Sequence, residues 1–316
     1  MPKVSIVVPI YGVEKYIERC ARSLFEQTFD DIEYIFVNDC TKDNSIKVLV
    51  TVIEDYPNRK EQIKILHHDV NKGLPQARKT GILTAVGEYI VNFDSDDWVD
   101  IRSIEILYNK AVQDDADIVI YDIYTIDGIN KTLFKCGVEG LNKWELFERM
   151  CQMKLSWSAC NKLIKRTLFK HVIFPVCNNA EDMALILQLM ARAEKVVYIP
   201  QPFYYYYYNT QSMTKLLTKE QVLKNIEDRN SNNEIVFEVL KKVLPNAKCN
   251  KYIEMFKWQV KVIAWGLISI ECDNYKYWKS LHSEINVSMF FNPYITIEDK
   301  FKCLLTHIRV FPRKRL

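Results

Sequence analysis

An α/β fold with a mostly parallel sheet is what the first half of this 316-residue chain predicts. Three observations carry the prediction. Short apolar runs rich in β-branched residues alternate with longer segments whose apolar residues recur at helical spacing. Those longer segments suit right-handed crossovers, which place successive strands parallel and bury the sheet. The residues that follow the strands are polar or aromatic, and ligands of open α/β sheets bind beyond the carboxyl ends of the strands.

Val4-Ser5-Ile6-Val7-Val8 is the first strand, closed by Pro9. From Glu14 to Gln27 the apolar residues Tyr16, Ile17, Cys20 and Leu24 fall at helical spacing. Glu33 to Val37 reads as the second strand, and Asn44 to Tyr56, carrying Ile46, Val48, Leu49, Val52 and Ile53, as the second helix. Ile63 to His67 and Leu74 to Val86 repeat the strand–helix pattern, and Tyr89 to Phe93 is a fourth strand. After residue 143 the pattern turns helical, with a break at Pro175. Glu181 to Ala193 is a strong helix, Val196 to Ile199 a short strand, and the run Tyr204 to Tyr208 another. From Lys219 onward helical patterning dominates, including Trp258 to Ile270. A boundary near Leu216 divides an α/β domain over 1–215 from a helical C-terminal region over 216–316, and no internal repeat is visible.

Composition narrows the function classes. With 48% hydrophobic and 26% charged residues the chain has the balance of a globular protein. Only 8 glycines argue against a fold that depends on many glycine-rich phosphate loops, and a net charge of +3 is too small for a protein dominated by nucleic-acid binding. Nine cysteines are scattered with no C-x-x-C pair and no zinc-like spacing, so they read as reduced packing thiols of a cytoplasmic protein. The N-terminus runs straight into a strand, with no secretory leader in view. No apolar run reaches the ~18 residues of a spanning helix.

Three strand ends form one candidate constellation: Pro9-Ile10-Tyr11, Asn38-Asp39 and Asp94-Ser95-Asp96-Asp97. They deliver an aromatic ring, one carboxylate and a carboxylate cluster. A hard dication such as Mg²⁺ or Mn²⁺ prefers oxygen, typically one or two carboxylates plus phosphate oxygens. Asp94 and Asp96 are expected on the same side of an extended strand end, one for a metal and the other for ribose or sugar hydroxyls. The competing reading is a turn and helix N-cap before Trp98, since Asp and Ser favour both. Mutual repulsion among three neighbouring carboxylates weighs towards the metal.

An ordered series of motifs resembles the inverting glycosyltransferase family 2 of the GT-A fold. The series runs through Val4 to Tyr11 with Glu14 and Tyr16, Val37-Asn38-Asp39 with Asp43-Asn44-Ser45, and Asn71-Lys72-Gly73 with Ala77-Arg78. It continues with Gly87-Glu88-Tyr89-Ile90 into the Asp94 cluster, Asn161-Lys162-Leu163, Glu181-Asp182, Pro202 to Tyr206 and Ser212-Met213-Thr214. Any one piece is weak; the order is specific and covers roughly 1–215. The resemblance implies a nucleotide-sugar donor, UDP-linked because Asp39 matches the uracil contact, with Pro9 and Tyr11 walling the nucleoside. It places Arg78 near the nucleotide, Asp94 and Ser95 near the ribose or sugar, and Mn²⁺ or Mg²⁺ on Asp96. It makes Asp182 the general base that deprotonates a saccharide or lipid-linked saccharide acceptor in cell-surface polysaccharide synthesis. Four positions depart from the family pattern: Gly12 stands for the usual Asn, Cys40-Thr41 for Gly-Ser, Lys79 for Asn and Tyr207 for Arg. The residues alone leave Glu181-Asp182 open between a base and ordinary helix-start acidity.

Rival classes fare worse. A dinucleotide-binding enzyme needs G-x-G-x-x-G after the first strand, and Pro9 to Glu14 holds one glycine. His67-His68 should point to opposite faces of a strand end, which suits packing better than a metal pair. A nucleotide-sugar-binding scaffold without catalysis is the alternative of a different class, and the presence of Asp39, Asp96 and Asp182 weighs against it. The end of the chain, Phe301 to Leu316, mixes apolar residues with Lys302, Arg309, Arg313, Lys314 and Arg315. It suits either a packed terminal helix or a peripheral contact with an anionic membrane surface at the cytoplasmic face.

Overall fold

Seven consecutive buried residues put β1 (Val4–Ile10) at the heart of the sheet. It pairs in parallel with β2 (Ile32–Asn38) and β4 (Tyr89–Asn92), and β3 (Ile63–His67) extends the parallel half beyond β2. A strand covered on both faces needs no polar alternation, which is why this stretch reads as an apolar run. Pairing with β4 ends at Val7↔Asn92, so Pro9, which has no N–H to give, lies past it.

The crossovers are α1 (Ile17–Phe25), α2 (Ser45–Glu54) and α3 (Leu74–Thr84). Buried residues of α1 and α2 share a core with Val4, Ile6 and Val8. On the other face α3 lies so close to β1 that a Cβ on Gly81 would meet Val7 Cγ1 at 2.4 Å. The computed structural model describes residues 1–208, 218–270 and 274–308. Boundaries expected from sequence near Leu216, the Ser212-Met213-Thr214 segment and the tail from Arg309 to Leu316 lie outside the described residues.

The second half of the sheet is mixed. It comprises β5 (Trp98–Val99), β6 (Ile118–Asp127), β7 (Asn130–Phe134), β8 (Lys162–Lys165) and β9 (Val196–Tyr207). Among the described residues the order is β3-β2-β1-β4-β8-β6-β9-β5, with β7 on β6. Helices α4 (Ser103–Gln113), α5 (Lys143–Cys151) and α6 (Glu181–Arg192) complete this part. The helical reading after residue 143 is corrected by β8, which lies antiparallel between β4 and β6. Four residues are too few to show a period, and the buried Lys162 looks like a surface residue. Its ammonium donates to Ser158 O and Asn161 Oδ1, both at 2.7 Å. The two short strands expected at Val196 and Tyr204 are one strand, with a register irregularity opposite Tyr121–Ile123 that accommodates Pro200 and Pro202.

The chain divides into two compact units, Met1–Val176 with Leu185–Asn209, and Cys177–Ala184 with Thr210–Leu316. The second is helical: α7 (Lys219–Val243), α8 (Asn246–Ile270), α9 (Tyr275–Ser280), α10 (Ile285–Ser288) and α11 (Ile297–His307). Trp258, Trp265 and Trp278 pack there. Beside them the buried Lys261 ammonium donates to the carbonyls of Trp278 (2.7 Å) and Leu281 (2.6 Å). Among the described residues no helix is long and apolar enough to cross a membrane.

Candidate active site

The turn after β4 is where the sequence placed a metal, and its geometry differs from the expected extended strand end. Asp94 to Asp97 closes as a turn through Asp97 N–H to Asp94 O (3.2 Å) and leads into β5 rather than a helix. The turn gives its three carboxylates different settings. Asp97 is buried and accepts from the Tyr204 hydroxyl and from Tyr207 N–H (2.6 Å). Burial, then the neighbouring Asp96 and Asp94, push its pKa well above the usual carboxylate value. Asp94 accepts from Arg78 Nη2 at 3.3 Å. Asp96 is half-buried, and burial raises its pKa. Among the described residues no cationic side chain bonds its carboxylate, while its carbonyl accepts from Arg19 Nη2 at 2.9 Å.

Arg78 reaches Asp94 because Gly81 lets α3 settle on β1, and the guanidinium is buried. The sequence assigned Arg78 and Asp94 separately; the structure makes them an ion pair that fixes the Asp94 carboxylate. Asp39, also buried, holds the entry to α3. It accepts from Lys72 N–H and Gly73 N–H, both at 2.8 Å, and pairs with His68 Nδ1 at 2.7 Å. His68 Nε2 continues to Thr80 Oγ1 at 2.8 Å, whereas His67 turns to Asn38. The two histidines diverge, as the strand alternation requires. His68 as a support for Asp39 was not foreseen, because nothing local in the sequence pairs residues 29 apart.

Two loops bracket the space beyond β1 and β2. Glu14 Oε2 accepts from Asn44 N–H (3.0 Å), Asp43 Oδ2 from Glu14 N–H (2.9 Å), and Thr41 Oγ1 from Gly12 N–H (2.9 Å). Family-pattern residues Glu14 and Asp43 thus latch the loops together. Cys40 has φ 58°, the left-handed region that a glycine occupies without strain. Tyr11 is exposed past the strand end, Pro9 is buried within β1, and Ser95 is buried in the turn.

The tyrosine run serves two faces of β9. Tyr204 is buried against Phe93, and Tyr206, part-exposed on the same side of the strand, has its pKa raised by burial and then by Asp97, Asp96 and Asp94. On the alternate side Tyr205 stacks on Trp98 at 5.3 Å and on Tyr124 at 5.5 Å. Arg19 lies 3.7 Å over Trp98 and 5.0 Å over Tyr207, the position where the family usually has arginine. A guanidinium from α1 therefore stands beside the turn. Nothing local in the sequence signals that placement, since Arg19 and Tyr207 lie far apart along the chain.

The carboxyl edge of the sheet gathers Tyr11, Asp39, Arg78 and Asp94 to Asp97. A cavity of about 310 Å³ lined by Asp31, Glu33, Glu61 and Lys64 opens at the amino edge instead, away from the expected ligand side. Asp182 belongs to the second unit, in the first turn of α6. Asp182 is part-exposed and Glu181 buried. The loop before them is held within that unit: Asn178 and Asn179 N–H donate to Asp228 Oδ2 (3.2 and 3.3 Å), and Asn232 Nδ2 donates to the carbonyls of Cys177 and Asn179, both at 2.8 Å.

Among the described residues no three His, Cys, Asp or Glu side chains gather as a metal-binding group. A dication held by Asp96 and completed by phosphate oxygens of a substrate is compatible with that, since a lone half-buried carboxylate in a field of carboxylates favours a cation.

A mixed sheet, parallel over β1 to β4, with a carboxylate turn beyond the end of β4 is the frame in which these side chains are held. The chain belongs to glycosyl transferase family 2, whose model matches residues 5–174. It is 34% identical over 236 residues to the uncharacterized glycosyltransferase EpsJ of Bacillus subtilis, covering 72% of this chain and 67% of that one. It is 31% identical over 212 residues to a poly(ribitol-phosphate) beta-glucosyltransferase of Bacillus spizizenii, covering 65% of this chain and 32% of that protein. In fold it is similar to TarS of S. aureus solved with UDP-GlcNAc, with a TM-score of 0.73 over 98% of this chain and 88% of that one, at 17% identity.

Proposed function

We propose that this glycosyltransferase moves a sugar from a UDP-linked donor to a saccharide or lipid-linked saccharide acceptor in one displacement with inversion. The observation that carries the reading is the division of labour in the Asp94–Asp97 turn. One carboxylate is buried on Tyr204, one is fixed by Arg78, and the Asp96 carboxylate has no cationic side chain bonded to it among the described residues, Arg19 reaching only its carbonyl. Asp96 would hold Mn²⁺ or Mg²⁺, which when bound supplies positive charge to a departing diphosphate. Asp94, oriented by Arg78, accepts hydrogen bonds from ribose or sugar hydroxyls. Asp39 accepts from the base, and Tyr11 covers the nucleoside. Asp182 takes the proton of the acceptor hydroxyl as that oxygen attacks the anomeric carbon. A UDP-sugar bound to a protein of the same fold and a relative named for a poly(ribitol-phosphate) acceptor support the donor and acceptor classes.

Calorimetry or thermal shift with UDP-, GDP- and dTDP-sugars, with and without Mn²⁺, tests donor and metal together. Asp96→Ala is expected to keep the fold and lose the Mn²⁺-dependent part of UDP binding. Full Mn²⁺ enhancement in that variant would remove Asp96 from the metal site.

A further inference from the structure

The last described helix carries its apolar residues on the outside. Ile297, Phe301, Leu304 and Ile308 are 85%, 58%, 47% and 60% exposed. At 100° per residue these four positions fall within an arc of about 60°, one narrow stripe along α11. The inward side is made by Cys303 and Thr306, both buried. Val287 and Phe291, in the segment leading to this helix, are exposed as well, at 72% and 77%. An ordinary surface helix has the opposite arrangement, with its apolar stripe on the core. Clustered exposed apolar side chains on a folded unit mark a contact surface.

Charge says what kind of surface it meets. From Ile297, where α11 starts, to the end the sequence has six Lys or Arg (Lys300, Lys302, Arg309, Arg313, Lys314, Arg315) against two acids, Glu298 and Asp299. Lys302 lies along the flank of α11, 2.6 Å from Glu298. An exposed apolar stripe together with an excess of cations complements an anionic lipid surface, where apolar side chains enter the headgroup region and cations meet lipid phosphates. We propose that α11 is a membrane-docking helix, lying in the plane of an anionic bilayer surface through Ile297, Phe301, Leu304 and Ile308. Docking would hold the enzyme at a surface where lipid-linked acceptors reside. The docking surface itself does not depend on the donor, metal or base assignments proposed above.

The test is co-sedimentation of the full chain with vesicles of phosphatidylglycerol or of phosphatidylcholine, beside the double variant Phe301→Ser/Leu304→Ser. The wild type is expected to bind phosphatidylglycerol vesicles at low salt, and more weakly to bind phosphatidylcholine. The variant should lose about tenfold or more in partitioning, with unchanged circular dichroism and unchanged donor hydrolysis in solution. Equal binding by both proteins would overturn the proposal, as would the absence of wild-type binding to phosphatidylglycerol. A wild type that dimerises by sedimentation velocity through these residues, and ignores vesicles, would also overturn it. Donor hydrolysis reads the proposed transferase function separately, so failure of one does not mimic failure of the other.

Discussion

Asp182 and Glu33 show how a carboxylate serves two ends. Asp182 stands part-exposed in the first turn of α6, next to the buried Glu181. A general base there contributes roughly 10²–10⁴-fold, so Asp182→Asn should lose transfer by at least about a hundredfold and keep its affinity for UDP. Equal loss of binding and turnover in steady-state kinetics and calorimetry would mark the residue as structural. Glu33 is buried in β2 and takes bonds from Ser5 Oγ, Lys64 Nζ, Val86 N–H and Gly87 N–H. Burial works to raise its pKa, but the bonds from Lys64, Ser5 and Val86 outweigh that and lower it below its ordinary 4.5. Its stabilising contribution is therefore present above about pH 4.5 and is lost as pH falls through the lower folded-state value. Glu33→Gln should cost about 1–3 kcal/mol at pH 7 in urea unfolding. The gap to wild type should narrow below pH 4; a gap independent of pH would refute the assignment.

At the scale of elements, α7 supports the loop that leads into Asp182. Two N–H groups converge on Asp228 Oδ2, and the Asn232 amide bridges two carbonyls. Ala180, just before Glu181, has φ 63°, a conformation costing roughly 1–2 kcal/mol for a residue with a Cβ. The bonds from α7 offset that strain and fix how the chain enters α6. Asp228→Ala should therefore lower kcat at least about fivefold through lost positioning, leave UDP affinity alone, and be partly rescued in Asp228→Asn, which keeps an acceptor. An unchanged kcat would mean that the loop holds itself. The same scale explains a departure from the family pattern. Cys40 occupies a left-handed turn where glycine is unstrained, and Cys40→Gly should stabilise the fold by up to about 1 kcal/mol in thermal unfolding.

For the whole molecule, two units with different architectures share one helix, since α6 starts in the helical unit and continues in the sheet unit. The α/β half was legible in the sequence because its signals are local. Apolar runs, helical spacing and crossover length are set within a few tens of residues, and a parallel sheet follows from them. The gathering of Asp39, Arg78 and the Asp94 turn at the carboxyl edge of the sheet followed too, since each lies just beyond a strand or at the start of the helix after one. What the sequence could not determine was which carboxylate pairs with what. Arg78 meets Asp94 across 16 residues, and Tyr204 meets Asp97 across 107. Those pairings depend on α3 seating on Gly81 and on β9 folding back beside β5, and no local pattern encodes either. The strand β8 was hidden for the same reason, because a buried lysine looks exposed until its carbonyl partners are in place. Nor could sequence spacing place residues 177–184 with the helical unit. Hydrogen bonds to Asp228 and Asn232 decide that, and they form only when chain segments about 50 residues apart are packed together.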